Sequence, residues 1–312
     1  MYISNETQYQ HPSTLRTVGA ITAGLTAKSV ISTAGKMATL PFANKMFDLN
    51  KTVAKDEINL IKNAYTEALK TTELDKKGVE ILTSFPKEMK KTILTMFKET
   101  DRKIPTKGEF LKKLNKIQKA ANPFSQFLIG KNAFFMPKTG LVSKFVPSLK
   151  EIENKILIKP DKLPLAGFHE IGHAMNYNLS FIGKTLQKMR PFCMLAPIVI
   201  AATAIFKSKK TPEQEANQGW FGKTTSFIKN HAGKLATLSF VPILAEETMA
   251  TVKGNKLASK LLNNANLAKK VAKSNWVALG TYTTVALVTG LATFLAVKLR
   301  DKIASPKPIE EI

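Results

Sequence analysis

Two imidazoles and a carboxylate share one short stretch, "LAGFHEIGHAMNY" at 165–177. On a helix, His169 and His173 lie on one face about a turn apart, so both can aim a ring nitrogen at a single tetrahedral metal ion. Glu170 borders the same site without being a ligand. Zinc lowers the pKa of a bound water to about 7, and a neighbouring carboxylate can take that water's proton during attack on a carbonyl and pass it to the leaving amine. The H-E-x-x-H pattern therefore points to peptide hydrolysis, with Glu170 as general base. Phe168, Ile171 and Gly172 fill the remaining positions, so no charge competes with the site, and the bare Gly172 lets a neighbouring segment pack closely.

A catalytic zinc site normally has three protein ligands. The chain has two further histidines, His11 in a polar amino-terminal segment and His231 in "KNHAGK", and both read as surface residues. The third donor is then a carboxylate. Glu246 and Glu247 follow the apolar stretch "LATLSFVPILA" at 235–245, and either can supply it. Carboxylates at the end of such a stretch need compensation, which a metal ion provides. The single cysteine, Cys193, lies in an apolar run and rules out both a disulfide framework and a thiolate zinc cluster.

The elements that must hold these residues are mostly helical. Residues 51–120 read as Lys-rich amphipathic helices, with Ile58, Ile61, Tyr65 and Leu69 on one stripe and Phe110, Leu111, Leu114 and Ile117 on another. Between 121 and 164, Pro and Gly punctuate "NAFFM" and "KILIK", the only good strand candidates, so any sheet is small. The uncharged run 191–206 is short for a crossing unless its basic flanks reach the interface. The run 274–297 is long enough to span the hydrocarbon core, with Trp276, Lys298 and Arg300 as interface anchors. Residues 235–245 are too short to cross alone. If 165–182 is the zinc helix, 191–206 leads away from it, a basic loop at 207–233 turns, and 235–247 returns the glutamates to the depth of the histidines.

Forty-seven Lys and Arg against 23 Asp and Glu give a net charge of +24, which favours anionic partners. The charge is spread along Lys-rich helices and matches no nucleic-acid-binding signature, so an anionic lipid membrane is the expected partner and nucleic acid is not. Residues 1–50 read either as an organellar presequence or as a membrane-surface helix, and the second is preferred.

The chain resembles the membrane-integrated gluzincins, the heat-shock zinc proteases of bacterial inner membranes and the related prenyl-protein endopeptidases. Their second motif places the ligand glutamate three residues before an alanine, followed by an aspartate and a later small residue. "EETMATVKG" matches with Glu247, Ala250, Thr251 and Gly254, a resemblance that selects Glu247 as ligand. Their Asn-Ala-Phe edge strand, against which substrate lies, is similar to "NAFFMP", implying a substrate-binding role for Asn132, Ala133, Phe134 and Phe135. Thr251 departs from the family: a hydroxyl stands where a carboxylate orients a ligand imidazole, implying weaker zinc affinity or a carboxylate brought from elsewhere, with Glu246 the candidate.

The expected architecture is mainly α: a membrane-associated helical bundle with a small β edge element beside the zinc helix. The metalloprotease core is expected at 121–260 with a helical hairpin at 188–247, followed by a basic linker, a transmembrane helix at about 274–297 and a polar tail. The expected function is a multi-pass membrane zinc endopeptidase, of the bacterial inner membrane, acting on unfolded or membrane polypeptide. A non-catalytic basic membrane scaffold and an inactive zinc-binding relative are the alternatives.

Overall fold

The structure, a computed structural model, describes residues 9–10, 12–89, 123–138 and 147–308. The protein is mainly α with a small three-stranded sheet. In chain order the elements are β1 (Tyr9–Gln10), α1 (Thr14–Met37), α2 (Leu40–Lys51), α3 (Lys55–Thr71), β2 (Glu80–Leu82), α4 (Pro123–Leu128), β3 (Phe134–Met136), β4 (Lys155–Leu157), α5 (Gly167–Leu179), α6 (Phe181–Phe206), α7 (Pro212–Ala216), α8 (Trp220–Asn230), α9 (Ala232–Leu238), α10 (Val241–Leu261), α11 (Ala265–Ala304) and β5 (Lys307–Pro308). The chain divides into two compact units, one of residues 42–188 and 245–280 and the other of residues 1–41, 189–244 and 281–312.

The first unit holds the sheet and α5. Its strand order is β2-β4-β3, with β2 parallel and β3 antiparallel to β4, so β3 is an edge strand among the described residues. The strands expected in "NAFFM" and "KILIK" are present. β2 was not expected: it lies inside the region read as helical and is only three residues long, too short for alternation to signal. Phe134 packs against Phe127 and Leu157 on one side, whereas Phe135 joins the core around Ile156, Phe168 and Tyr177, as successive strand residues must.

In α3 the apolar residues recur at helical spacing, and Ile61, Tyr65, Ala68 and Leu69 are buried while the lysines face outward. The Glu57 carboxylate accepts the Ala54 N–H at its start. The second stripe expected at Phe110, Leu111, Leu114 and Ile117 lies outside the described residues.

Among the described residues, the regular elements of the second unit are helices apart from the β1–β5 pair. Ala204 and Ile205 of α6, Ala232 of α9, and Ala296 and Val297 of α11 form its apolar core. Helix α1 packs here through glycines: a Cβ on Gly24 would lie 3.2 to 3.3 Å from Ala296, Arg300 and Ile205, and one on Gly35 would overlap Val288.

The region 207–233, expected to be a loop, contains α7 and α8 instead. Thr211 and Gln214 bond reciprocally and Pro212 opens α7, a local start signal that the basic composition masked.

Three helical segments are long and apolar enough to cross a membrane: Phe181–Phe206, Ala232–Leu261 and Ala265–Ala304, with 26, 30 and 40 residues. The middle one corrects the reading of 235–245 as too short, because helix continues past the two glutamates. The apolar face of α6 is largely uncovered, with Phe192, Met194, Leu195, Ile198 and Val199 all exposed.

Candidate metal centre

Two small residues bring α5 and α10 together. A Cβ on Gly172 would overlap the Ala250 carbonyl, and one on Gly254 would overlap the Phe168 carbonyl. Any larger side chain would hold the helices apart, so these glycines set how deeply α10 presents its glutamates. Ala250 and Thr251 are fully buried at the same contact. The start of α5 is anchored separately. The Tyr65 hydroxyl accepts the Gly167 N–H at 2.9 Å and donates to the Pro164 carbonyl, and the Asn50 amide oxygen accepts the Leu165 N–H at 2.9 Å. One helix-start N–H that would otherwise lack a partner is thereby satisfied.

His169, Glu170, His173, Glu246 and Glu247 are all buried. The Nε2 atoms of His169 and His173 are 3.0 Å apart, and Glu247 Oε2 lies 3.1 Å from the first and 3.3 Å from the second. Ligands on a tetrahedral ion with bonds of about 2.0–2.1 Å stand roughly 3.3–3.4 Å from one another. The triangle of donor atoms is close to that spacing, so two imidazoles and one carboxylate fit a metal ion of zinc's size and ligand preference. The charge agrees: three buried carboxylates converge on two imidazoles, an arrangement that a cation compensates.

Both imidazoles are held by their other nitrogen. His173 Nδ1–H donates to Glu246 Oε1 at 2.9 Å, which leaves Nε2 to face Glu247 and His169. The Thr251 hydroxyl lies 3.3 Å from His169 Nδ1 and can accept from it. Burial opposes charge on His173, but Glu246 and Glu247 outweigh it and hold the imidazole well above its ordinary pKa. That field attracts a cation to the same spot.

The adjacent glutamates take different parts because consecutive helical residues point about 100° apart. Glu247 meets the Nε2 atoms, whereas Glu246 reaches round to the back of His173. Glu246 is itself clamped: Asn176 Nδ2 donates to its Oε1 at 3.0 Å and Gln187 Nε2 at 2.7 Å, and Gln187 also donates to the His173 carbonyl at 2.8 Å. Sequence reasoning missed Asn176 and Gln187. Asn176 was findable, three residues beyond His173 and so on the same helix face; Gln187 was signalled only by being polar ahead of an apolar run.

Glu170 does not join the triangle. One of its carboxylate oxygens lies within 4.8 Å of nitrogens of both histidines, and its Oε2 accepts the Phe135 N–H at 2.8 Å. The amide of Phe135 therefore points off the outer edge of β3 toward the site. Of the residues expected to bind substrate, Phe135 reaches the centre through its backbone, Phe134 and Ala133 pack into the core, and half-buried Asn132 precedes the strand.

The Tyr177 hydroxyl donates to the Lys138 carbonyl, away from the donor triangle. His231 is exposed in the other unit with Nδ1 3.0 Å from the Phe227 carbonyl, and His11 lies outside the described residues. No protein-family model, curated protein or solved structure matches the chain, so the centre is read from its own geometry.

Proposed function

We propose that the protein is an integral-membrane zinc metalloendopeptidase of the gluzincin type, spanning a bacterial inner membrane several times and cleaving unfolded or membrane polypeptide. The observation that carries this reading is the donor triangle of His169, His173 and Glu247, with Glu170 beside it and outside it. A purely structural metal site would make no use of a further buried carboxylate held beside the ligands but outside their triangle. The membrane assignment is supported by the three candidate spans and the uncovered apolar face of α6, a surface that water would penalise.

His169, His173 and Glu247 would hold the ion, with Glu246 and Thr251 fixing the two imidazole rings. When bound, zinc supplies a Lewis acid that polarises the scissile carbonyl and acidifies a water. Glu170 takes the proton of the attacking water and delivers it to the nitrogen of the leaving amine. The Phe135 N–H keeps that carboxylate oriented between transfers. In a strand, the carbonyl of a residue faces the same edge as its N–H, so the Phe135 carbonyl is available to pair with an extended substrate along the outer edge of β3.

Glu170→Gln tests the assignment. Proteolysis of a fluorescently labelled unfolded polypeptide should fall by about 10²–10⁴-fold while one zinc per chain is retained. Wild-type cleavage by this variant would refute the mechanism. Zinc without cleavage in the parent protein would mark an inactive relative, and no stoichiometric zinc would mark a non-catalytic scaffold.

A further inference from the structure

A second ionic cluster lies in the second unit, where the apolar runs of α6 and α11 end side by side. Arg300 is fully buried there, and its Nε donates to the Ile205 carbonyl at 3.1 Å, joining the carboxy-terminal end of α6 to α11. Lys229 is also buried, donating to the Lys207 carbonyl at 2.7 Å and to Asp301 Oδ1 at 2.6 Å. Arg300 Nη1 donates to the same Asp301 oxygen at 3.1 Å. A single carboxylate is thus shared by two buried cations.

Beside this cluster is a cavity of about 410 Å³, within the size range of ligand sites. Lys209, Lys229, Lys298 and Lys302 line it together with the Asp301 carboxylate, and Phe294 and Val297 form an apolar wall. Lys298 and Lys302 are one turn apart on α11 and so share a face. Lys209, Lys298 and Lys302 make no ion pair among the described residues. Burial holds Lys229 below its ordinary pKa against the pull of Asp301, and the like charges of Arg300 and Lys209 add to that depression. Four ammonium groups thus face one carboxylate around the cavity, an excess opposite in sign to that of the three carboxylates at the metal centre.

Its position indicates which anion it takes. The charge-free run of α11 ends at Val297, and α6 ends at Phe206 just before Lys207, Lys209 and Lys210. If these helices cross a membrane, their common end marks the depth of the phosphate layer, and the apolar wall continues toward the acyl chains. We infer that this cavity binds a phosphate group through Lys209, Lys298 and Lys302, presented by an anionic phospholipid headgroup at the membrane surface or taken up as free phosphate. The inference rests on the membrane reading of α6 and α11, not on catalysis at the metal centre.

The experiment uses the full chain in neutral detergent. Retention of dioleoylphosphatidylglycerol and of dioleoylphosphatidylcholine is followed by native mass spectrometry, each with and without millimolar inorganic phosphate. The parent protein should hold one phosphatidylglycerol selectively. The variant K209Q/K298Q/K302Q should lose that affinity on the order of a hundredfold, from three lysines near a lipid surface. The variant K45Q/K55Q/K70Q changes net charge equally at exposed positions of the other unit and should retain it. All six substitutions are at exposed positions, and unchanged circular dichroism verifies the fold. Insensitivity to inorganic phosphate assigns the site to lipid, and displacement by it assigns the site to free phosphate. A chain that proves not to be membrane-embedded removes the depth argument and overturns the inference, whatever the outcome at the metal centre. Equal loss in both variants, or loss in neither, overturns the inference.

Discussion

The metal centre and the Lys229–Arg300 cluster are both buried ionic assemblies, but they balance their charge differently. At the metal centre Glu170, Glu246 and Glu247 surround His169 and His173, and the excess is negative. At the other, Asp301 is the internal counterion of Lys229 and Arg300, and the excess is positive. Uncompensated buried charge is costly, so the negative excess suits a cation, whereas the positive one lies beside the cavity proposed for an anion. The donor atoms indicate the type of ion in each case. Imidazole nitrogens with a carboxylate at tetrahedral spacing suit a transition metal, whereas ammonium groups beside an apolar wall suit an anionic headgroup.

The largest effect that separates the two is at Glu247. Glu247→Ala should abolish stoichiometric metal, read by elemental analysis of purified protein, without changing phospholipid retention. If the variant still carries one metal per chain, Glu247 is not the third ligand. Asp301→Asn is the converse. It leaves Lys229 and Arg300 buried without their carboxylate, a loss of about 3–5 kcal/mol expected as a lower thermal midpoint in detergent with metal content unaffected. An unchanged midpoint would mean that the cluster is solvated.

A smaller effect is expected at Glu246. Glu246→Gln keeps a side chain that can accept from His173 but removes its charge, and metal affinity measured by chelator competition should fall about 10–100-fold. Equal affinity would show that the clamp from Asn176 and Gln187 orients the ring without any help from charge. The smallest is Thr251→Val. One neutral hydrogen bond to His169 disappears at a cost of about 1 kcal/mol, so affinity should weaken several-fold. A drop as large as that of Glu246→Gln would reverse the relative importance of the two supports.

Much of the centre was legible because its signals are local. His169 and His173 sit at helical spacing, and Glu246 and Glu247 are neighbours in the chain. The helical character of α3, α6 and α11 also followed from periodicity and apolar runs. What was not legible depends on residues far apart. The Tyr65 hydroxyl at Gly167 joins positions 102 apart, and the three-residue β2 exists only through its pairing with β4. Tyr65 was readable as a buried stripe residue but not as a cap, since spacing along α3 says nothing of what α3 meets.

The sequence by itself determined the chemical types available, the helices that carry them and the apolar runs that suit a membrane, because each follows from neighbours within a few turns. Spacing alone left either Glu246 or Glu247 free to be the ligand, a choice only the resemblance made, and nothing in the sequence determined the tie between Glu170 and Phe135 or the sharing of Asp301 by Lys229 and Arg300. Those were decided by tertiary packing. Gly172 and Gly254 let α10 approach α5 until backbone meets backbone, and at that separation the 100° between consecutive residues sends one carboxylate to the Nε2 atoms and the other to the far side of His173.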